Sequence, residues 1–175
     1  MKDTSSPKID TLTDLFAAAY QIEAEAVERY KLLADQMETY NNRELVDVFR
    51  DLAKAEALHA DEIRRQAGTI DVVAHAQRLG GWGRDESPEA VDMGAAHYMM
   101  TPWHALQMAL AGEKRALAFF TRIAEATQDP KIKQMAEEFV EEEAEHVNLV
   151  HRLLRRYPPP PSSWAQDTDP PIGQE

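Results

Sequence analysis

Two Glu-x-x-His steps stand out in the sequence, Glu56-Ala57-Leu58-His59 and Glu143-Ala144-Glu145-His146. In a helix, side chains three residues apart share a face about one turn apart, so a carboxylate and an imidazole so spaced reach one centre. Two more glutamates, Glu23 and Glu113, each stand ahead of one such step, and all six residues fall on apolar stripes. Glu23 lies between Ala19 and Ala26, and Glu56 and His59 lie between Leu52 and Ile63. Glu113 lies between Leu110 and Leu117, and Glu143 and His146 lie between Phe139 and Val150. Four carboxylates in a dry interior need compensation, because an uncompensated buried charge costs several kcal/mol. The stripes carry no Lys or Arg in this reading, the basic residues falling mostly on other faces. Two divalent metal ions would cancel the four negative charges with both histidines neutral.

A single Glu-x-x-His is a weak signal in an acidic chain. Two of them, on alternate helices and each preceded by a helix with one stripe glutamate, form the ligand pattern of di-iron and di-manganese carboxylate bundles. The halves also echo each other: Glu23 precedes Tyr30 by two helical turns, and Glu113 precedes Phe120 by the same interval. Such a repeated helical hairpin builds a quasi-twofold dinuclear site. Iron is the first expectation for the two ions, and manganese and zinc suit the same donors.

Four long helices must position these residues. The first is predicted from Leu12 to near Tyr40, opened by a capping box of Thr11 and Asp14. The second runs from about Arg43 to Ala67, after Asn41-Asn42 and before the stop at Gly68. The third opens at Thr101-Pro102 and the fourth at Asp129-Pro130, each an N-cap followed by proline in the first turn. Pro158–Pro161 ends the fourth. Between the second and third lies a connection, 69–100, too long for a bare loop. It holds helical patterns at Val72–Leu79 and Glu89–His97, split by Gly80-Gly81-Trp82-Gly83. Short turns join the helices of each hairpin, and the long connection lets the second hairpin cross over. The predicted fold is therefore an all-α, antiparallel four-helix bundle with one long crossover, spanning 1–157. Residues 158–175 read as a Pro-rich tail.

Composition agrees and narrows the function. The chain has 175 residues, 43% of them hydrophobic, and a formal charge of −12. So acidic a surface disfavours nucleic acid and anionic membrane as partners. The lack of cysteine excludes disulfides, thiol catalysis and Cys-ligated iron–sulfur sites. Met1–Asp10 is short and polar, without the apolar core of a signal peptide, which makes cytoplasm the expected location. The crossover's Trp82, Met99 and Met100, with Trp103, offer more apolar surface than one bundle needs, pointing to a homodimer or larger homo-oligomer.

The chain resembles the rubrerythrin branch of the ferritin-like superfamily over about residues 12–156. The matching runs are Glu23-Ala24-Glu25-Ala26 with Arg29-Tyr30, Ala55-Glu56-Ala57-Leu58-His59-Ala60, Ala111-Gly112-Glu113, and Glu142-Glu143-Ala144-Glu145-His146. The resemblance implies Glu56 and Glu143 as bridging ligands, Glu23 and Glu113 as terminal ones, and one histidine on each metal. It also implies reaction with oxygen or peroxide. Three departures qualify it. There are no cysteines for a rubredoxin-like electron donor, Ala116 stands where rubrerythrins carry a further carboxylate, and Phe120 stands where a tyrosine is common. A plain ferritin-like ligand set fits this chain better than the peroxide-reducing one.

Tyr30 falls on the stripe within reach of the site, as a packed side chain or as a hydrogen-bond donor to a ligand glutamate. Glu25, Glu28, Glu141, Glu142 and Glu145 lie off the stripes and read as solvated, the alternative being that one of them is an entry-path residue or alternative ligand. His75, His97, His104 and His151 lack partners at ligand spacing and read as surface or helix-end residues. The functional expectation is a di-iron oxidoreductase that oxidises Fe(II) or reduces oxygen or peroxide. The alternatives are a non-enzymatic module that stores or binds divalent metal, and a structural bundle without metal.

Overall fold

The structure is a computed structural model, and it describes residues 7–79 and 100–161. These residues form five helices and no strand. Helix α1 spans Leu12–Thr39, α2 Arg43–Ala67, α3 Val72–Leu79, α4 Pro102–Ala126 and α5 Pro130–Leu154. The second crossover pattern, Glu89–His97, with Trp82, Met99 and the tail from Ser162, lies outside the described residues.

Local chemistry sets each boundary. At the start of α1 the Thr11 amide donates to Asp14 at 2.8 Å and the Asp14 amide donates to the Thr11 hydroxyl at 3.1 Å, a reciprocal capping box. Asn41 turns the chain in the left-handed region at φ 60°, and Asn42 caps α2 by accepting from the Leu45 amide at 3.0 Å. Gly68 ends α2 at φ 64° with open space around it, so its requirement for glycine is conformational, not steric. Asp129 caps α5 by accepting from the Lys131 and Ile132 amides. At α4 the cap is unusual: the His104 imidazole lies against both the amide and the hydroxyl of Thr101, at 3.3 and 2.8 Å. His104 is thus a helix-end residue.

The core divides into two apolar clusters. One joins Leu15 and Ile22 of α1, Ile63 of α2, Phe120 of α4 and Ile132 and Phe139 of α5. The other joins Leu33 and Met37, Leu45 and Phe49, Leu106, and Val150. The start of α1 therefore meets the ends of α2 and α4 and the start of α5. Each hairpin is antiparallel and α2 runs parallel to α4, so the end of α2 and the start of α4 lie at opposite ends of the bundle. Helix α3, at the head of that connection, packs on α1 through buried Val72 and a 2.7 Å contact of His75 Nε2 with Asp14. Met100 is buried in the second cluster, so its apolar surface is covered by its own bundle.

Candidate metal centre

A polar layer lies between the two apolar clusters. Glu23, Glu56, Glu113 and Glu143 are 2%, 1%, 1% and 4% exposed, each on the inward face of a different long helix. The two Glu-x-x-His histidines close the layer on α2 and α5, with stacked rings whose centroids lie 5.8 Å apart. Both turn Nδ1 inward. His59 Nδ1 lies 3.4 Å from Glu56 Oε2, and His146 Nδ1 lies 3.2 Å from Glu56 Oε1. Glu56 thus spans the two imidazoles with one oxygen toward each. His146 Nδ1 also lies 3.4 Å from Glu113 Oε2, and His59 Nδ1 4.0 Å from Glu23 Oε2. Glu143 joins Glu113 and His146 in a group whose ligand atoms all lie within 4.8 Å of one another. The structure therefore brings together Glu23, Glu56, His59, Glu113, Glu143 and His146.

Whether these side chains fit a metal can be judged from atoms that have no other use. Both oxygens of Glu56 and Nδ1 of both histidines are buried and make no hydrogen bond. Buried polar atoms are rarely left so. Atoms that ligate one ion at about 2.1 Å each, near a right angle, stand about 3 Å from each other. The Glu56–His146 and Glu56–His59 separations are close to that, and the donors are nitrogen and oxygen atoms that suit first-row metals. The residues fit.

Electrostatics carry the same message. Burial pushes the carboxyls of Glu23 and Glu143 well above the usual range, and the neighbouring carboxylates push them further. Glu113 goes the other way. Burial alone would raise it, but the His146 imidazole and the Arg29 guanidinium outweigh burial and hold it at about 2.

Arg29 corrects the expectation that the buried stripes carry no cation. It is 2% exposed, and its guanidinium donates to Glu113 Oε1 at 2.7 Å. Tyr30, fully buried and stacked on Phe49, donates its hydroxyl to the same oxygen. Glu113 therefore has one oxygen held by α1 and the other turned toward His146. In the second half of the sequence repeat the places of Arg29 and Tyr30 are taken by Phe119 and Phe120, so the centre is asymmetric.

Glu142 also departs from expectation. It read as a solvated residue, but its Oε2 lies 3.9 Å from His59 Nδ1, and it forms a candidate metal-holding group with Glu23 and His59. Only its position beside Glu143 in the sequence hinted at this. Burial raises its carboxyl above the usual range.

A family model described as Rubrerythrin matches residues 14–79 and 104–168. The chain belongs to the rubrerythrin family. A crystal structure of an uncharacterized conserved protein from Magnetospirillum magnetotacticum MS-1 is similar to this family member, with a TM-score of 0.72 and 36% sequence identity. The match covers 86% of this chain and 98% of that one. No curated protein matches. As a rubrerythrin-family bundle the chain is ferritin-like and all-helical, and it carries no cysteine from which a rubredoxin-like iron site could be built.

Proposed function

We propose that this chain is a di-iron carboxylate oxidoreductase of the rubrerythrin or ferritin type, which oxidises Fe(II) or reduces oxygen or peroxide. The observation that carries the reading is the set of buried, hydrogen-bond-free ligand atoms on Glu56, His59 and His146, converging between two apolar clusters. In this reading Glu56 and Glu143 would be shared between two ions, Glu23 and Glu113 would each serve one, and His59 and His146 would serve one ion each. Iron bound there supplies the redox change and open coordination positions that this chemistry requires. The protein supplies the rest. The apolar clusters on either side exclude water and hold the helices in register. Arg29 and Tyr30 fix the orientation of Glu113 by holding its outer oxygen. His59, whose side chain is 29% exposed against 14% for His146, marks the side from which small reactants approach.

A second reading, non-enzymatic binding or storage of divalent metal, draws on the departures from the family pattern. There is no cysteine to relay electrons, and Ala116 brings no carboxylate from α4. Manganese or zinc would serve that role as well as iron. Anaerobic Fe(II) titration, followed by stopped-flow absorbance on adding oxygen or peroxide, separates the readings. Uptake of two ions per chain and a fast oxidation phase that vanishes in Glu56→Ala support the oxidoreductase. Uptake without an oxidation phase supports the second reading, and no uptake contradicts both.

A homodimer or larger homo-oligomer in the cytoplasm belongs to the same proposal. No helix among the described residues is long and apolar enough to cross a membrane. Ile70 and Val73, at the head of the crossover, are exposed apolar residues suited to a subunit contact. Sedimentation as a monomer at micromolar concentration would contradict the oligomer.

A further inference from the structure

Glu142 stands next to Glu143 on α5, about 100° around the helix from the inward face. Its side chain is 44% exposed, as expected of a flanking residue. Yet its carboxylate bends toward the layer, so that His59 Nδ1 faces Glu142 Oε2 at 3.9 Å and Glu23 Oε2 at 4.0 Å. The same nitrogen lies 3.4 Å from Glu56 Oε2. Glu56 is an independent sign that a cation belongs here: its side chain is 2% exposed and neither oxygen has a hydrogen-bond partner.

Resting on the metal reading above, we propose that Glu142 is a fifth carboxylate ligand of the centre, serving the ion held by Glu23 and His59. Charge and shape both point this way. Of the four inward carboxylates, Glu113 is already paired with the buried cation Arg29. Four glutamates and one guanidinium would leave two divalent ions over-compensating the layer by one positive charge. With Glu142 the five carboxylates and Arg29 sum to four negative charges, which two divalent ions neutralise. The place one turn after Glu113 on α4 offers no further donor, because it is Ala116, buried in the apolar cluster. The donor comes from α5 instead, on the opposite ion from the one that Arg29 and Tyr30 influence through Glu113. Because Glu142 is partly in water, the ion it serves is the more exchangeable of the two.

Calorimetric titration of the full chain with Co(II) under argon, read also by visible absorption, tests this. The comparison is wild type, Glu142→Gln, Glu142→Asp and the exposed control Glu145→Gln, each checked for helicity by circular dichroism. Wild type and Glu145→Gln should take two ions with the same pair of affinities. Glu142→Gln should weaken one site at least about tenfold, since even outer partners of metal ligands are worth about 10–100-fold. The other site should be unchanged. Glu142→Asp keeps the charge but draws it back, and should weaken the same site. Two ions bound by Glu142→Gln with the affinities of Glu145→Gln overturn the proposal and leave the metal reading intact. Equal weakening of both sites, or an unaltered Glu142→Asp, reduces Glu142 to a distant charge and also overturns it. Wild type that binds no Co(II) overturns the metal reading and this proposal together.

Discussion

The chemistry at the residue scale turns on how Glu113 differs from Glu23. Both are buried carboxylates on inward faces, but only Glu113 has a guanidinium and a phenol on its outer oxygen. Removing one partner of a buried ion pair leaves the other charge uncompensated, which costs about 3–5 kcal/mol. Arg29→Met is therefore expected to destabilise the metal-free protein by about that amount in urea melts. Tyr30→Phe, which leaves the ion pair, should cost about 1.5–3 kcal/mol, the range for a hydrogen bond to a charged group. Equal, negligible effects would mean that Glu113 is not held as described. The titrations make a second prediction. Glu23 and Glu143 have raised carboxyls, His59 is raised chiefly by Glu56, and His146 is raised by Glu113 and Glu56 against the effect of burial. A group whose folded value is raised binds more protons folded than unfolded, so its contribution is present at low pH and lost as pH rises. Glu113, held at about 2, opposes this only below the ordinary glutamate value. The metal-free protein should thus lose stability from about pH 5 to pH 8, across the ordinary glutamate and histidine range. Excess divalent metal should reverse the slope, because ligation displaces those protons. Urea midpoints with chelator that rise with pH would contradict the account.

At the scale of the element, the helices begin and end where short-range chemistry says they should. Asp14 does two jobs: it closes the α1 capping box, and it ties α3 to α1 through His75. Burial would raise its carboxyl, but His75 and Thr11 outweigh burial and lower it. Asp14→Ala should cost about 1–2 kcal/mol, the range of a lost cap, and speed amide hydrogen exchange in α3. Unchanged exchange in α3 would break the proposed tie. The same short-range logic explains what was legible in the sequence. Thr101-Pro102, Asp129-Pro130 and Gly68 are local signals, and Glu23, Glu56, Glu113 and Glu143 interrupt stripes that a helical period exposes directly. Arg29 escaped because it sits at the edge of a stripe about 100° wide or more, where periodicity does not decide which side chain turns in. Its burial is decided by Glu113, on another helix. Glu142 escaped for a similar reason: only the approach of α5 to α2 brings it round to His59. The His75–Asp14 contact likewise depends on how α3 folds back on α1, which no spacing encodes.

At the scale of the whole molecule, the described residues form two apolar clusters clamped around a polar layer that is poorly compensated without cations. Such a design trades metal-free stability for a site that metal completes, so stability and metal occupancy must be linked. Binding to the folded state alone stabilises by about 4 kcal/mol at a thousandfold excess over the dissociation constant. Glu56 is the residue whose loss should uncouple the two, since it turns one oxygen toward each histidine. Glu56→Ala should keep its helical content. Without metal it should be destabilised by no more than a modest packing loss, offset by removal of one buried carboxylate. The decisive measurement is thermal unfolding of wild type and Glu56→Ala, each with chelator and with excess Fe(II) under argon. Wild type should show a large metal-induced rise in Tm, and Glu56→Ala should lose most of it; equal rises in the two proteins would contradict the dinuclear centre.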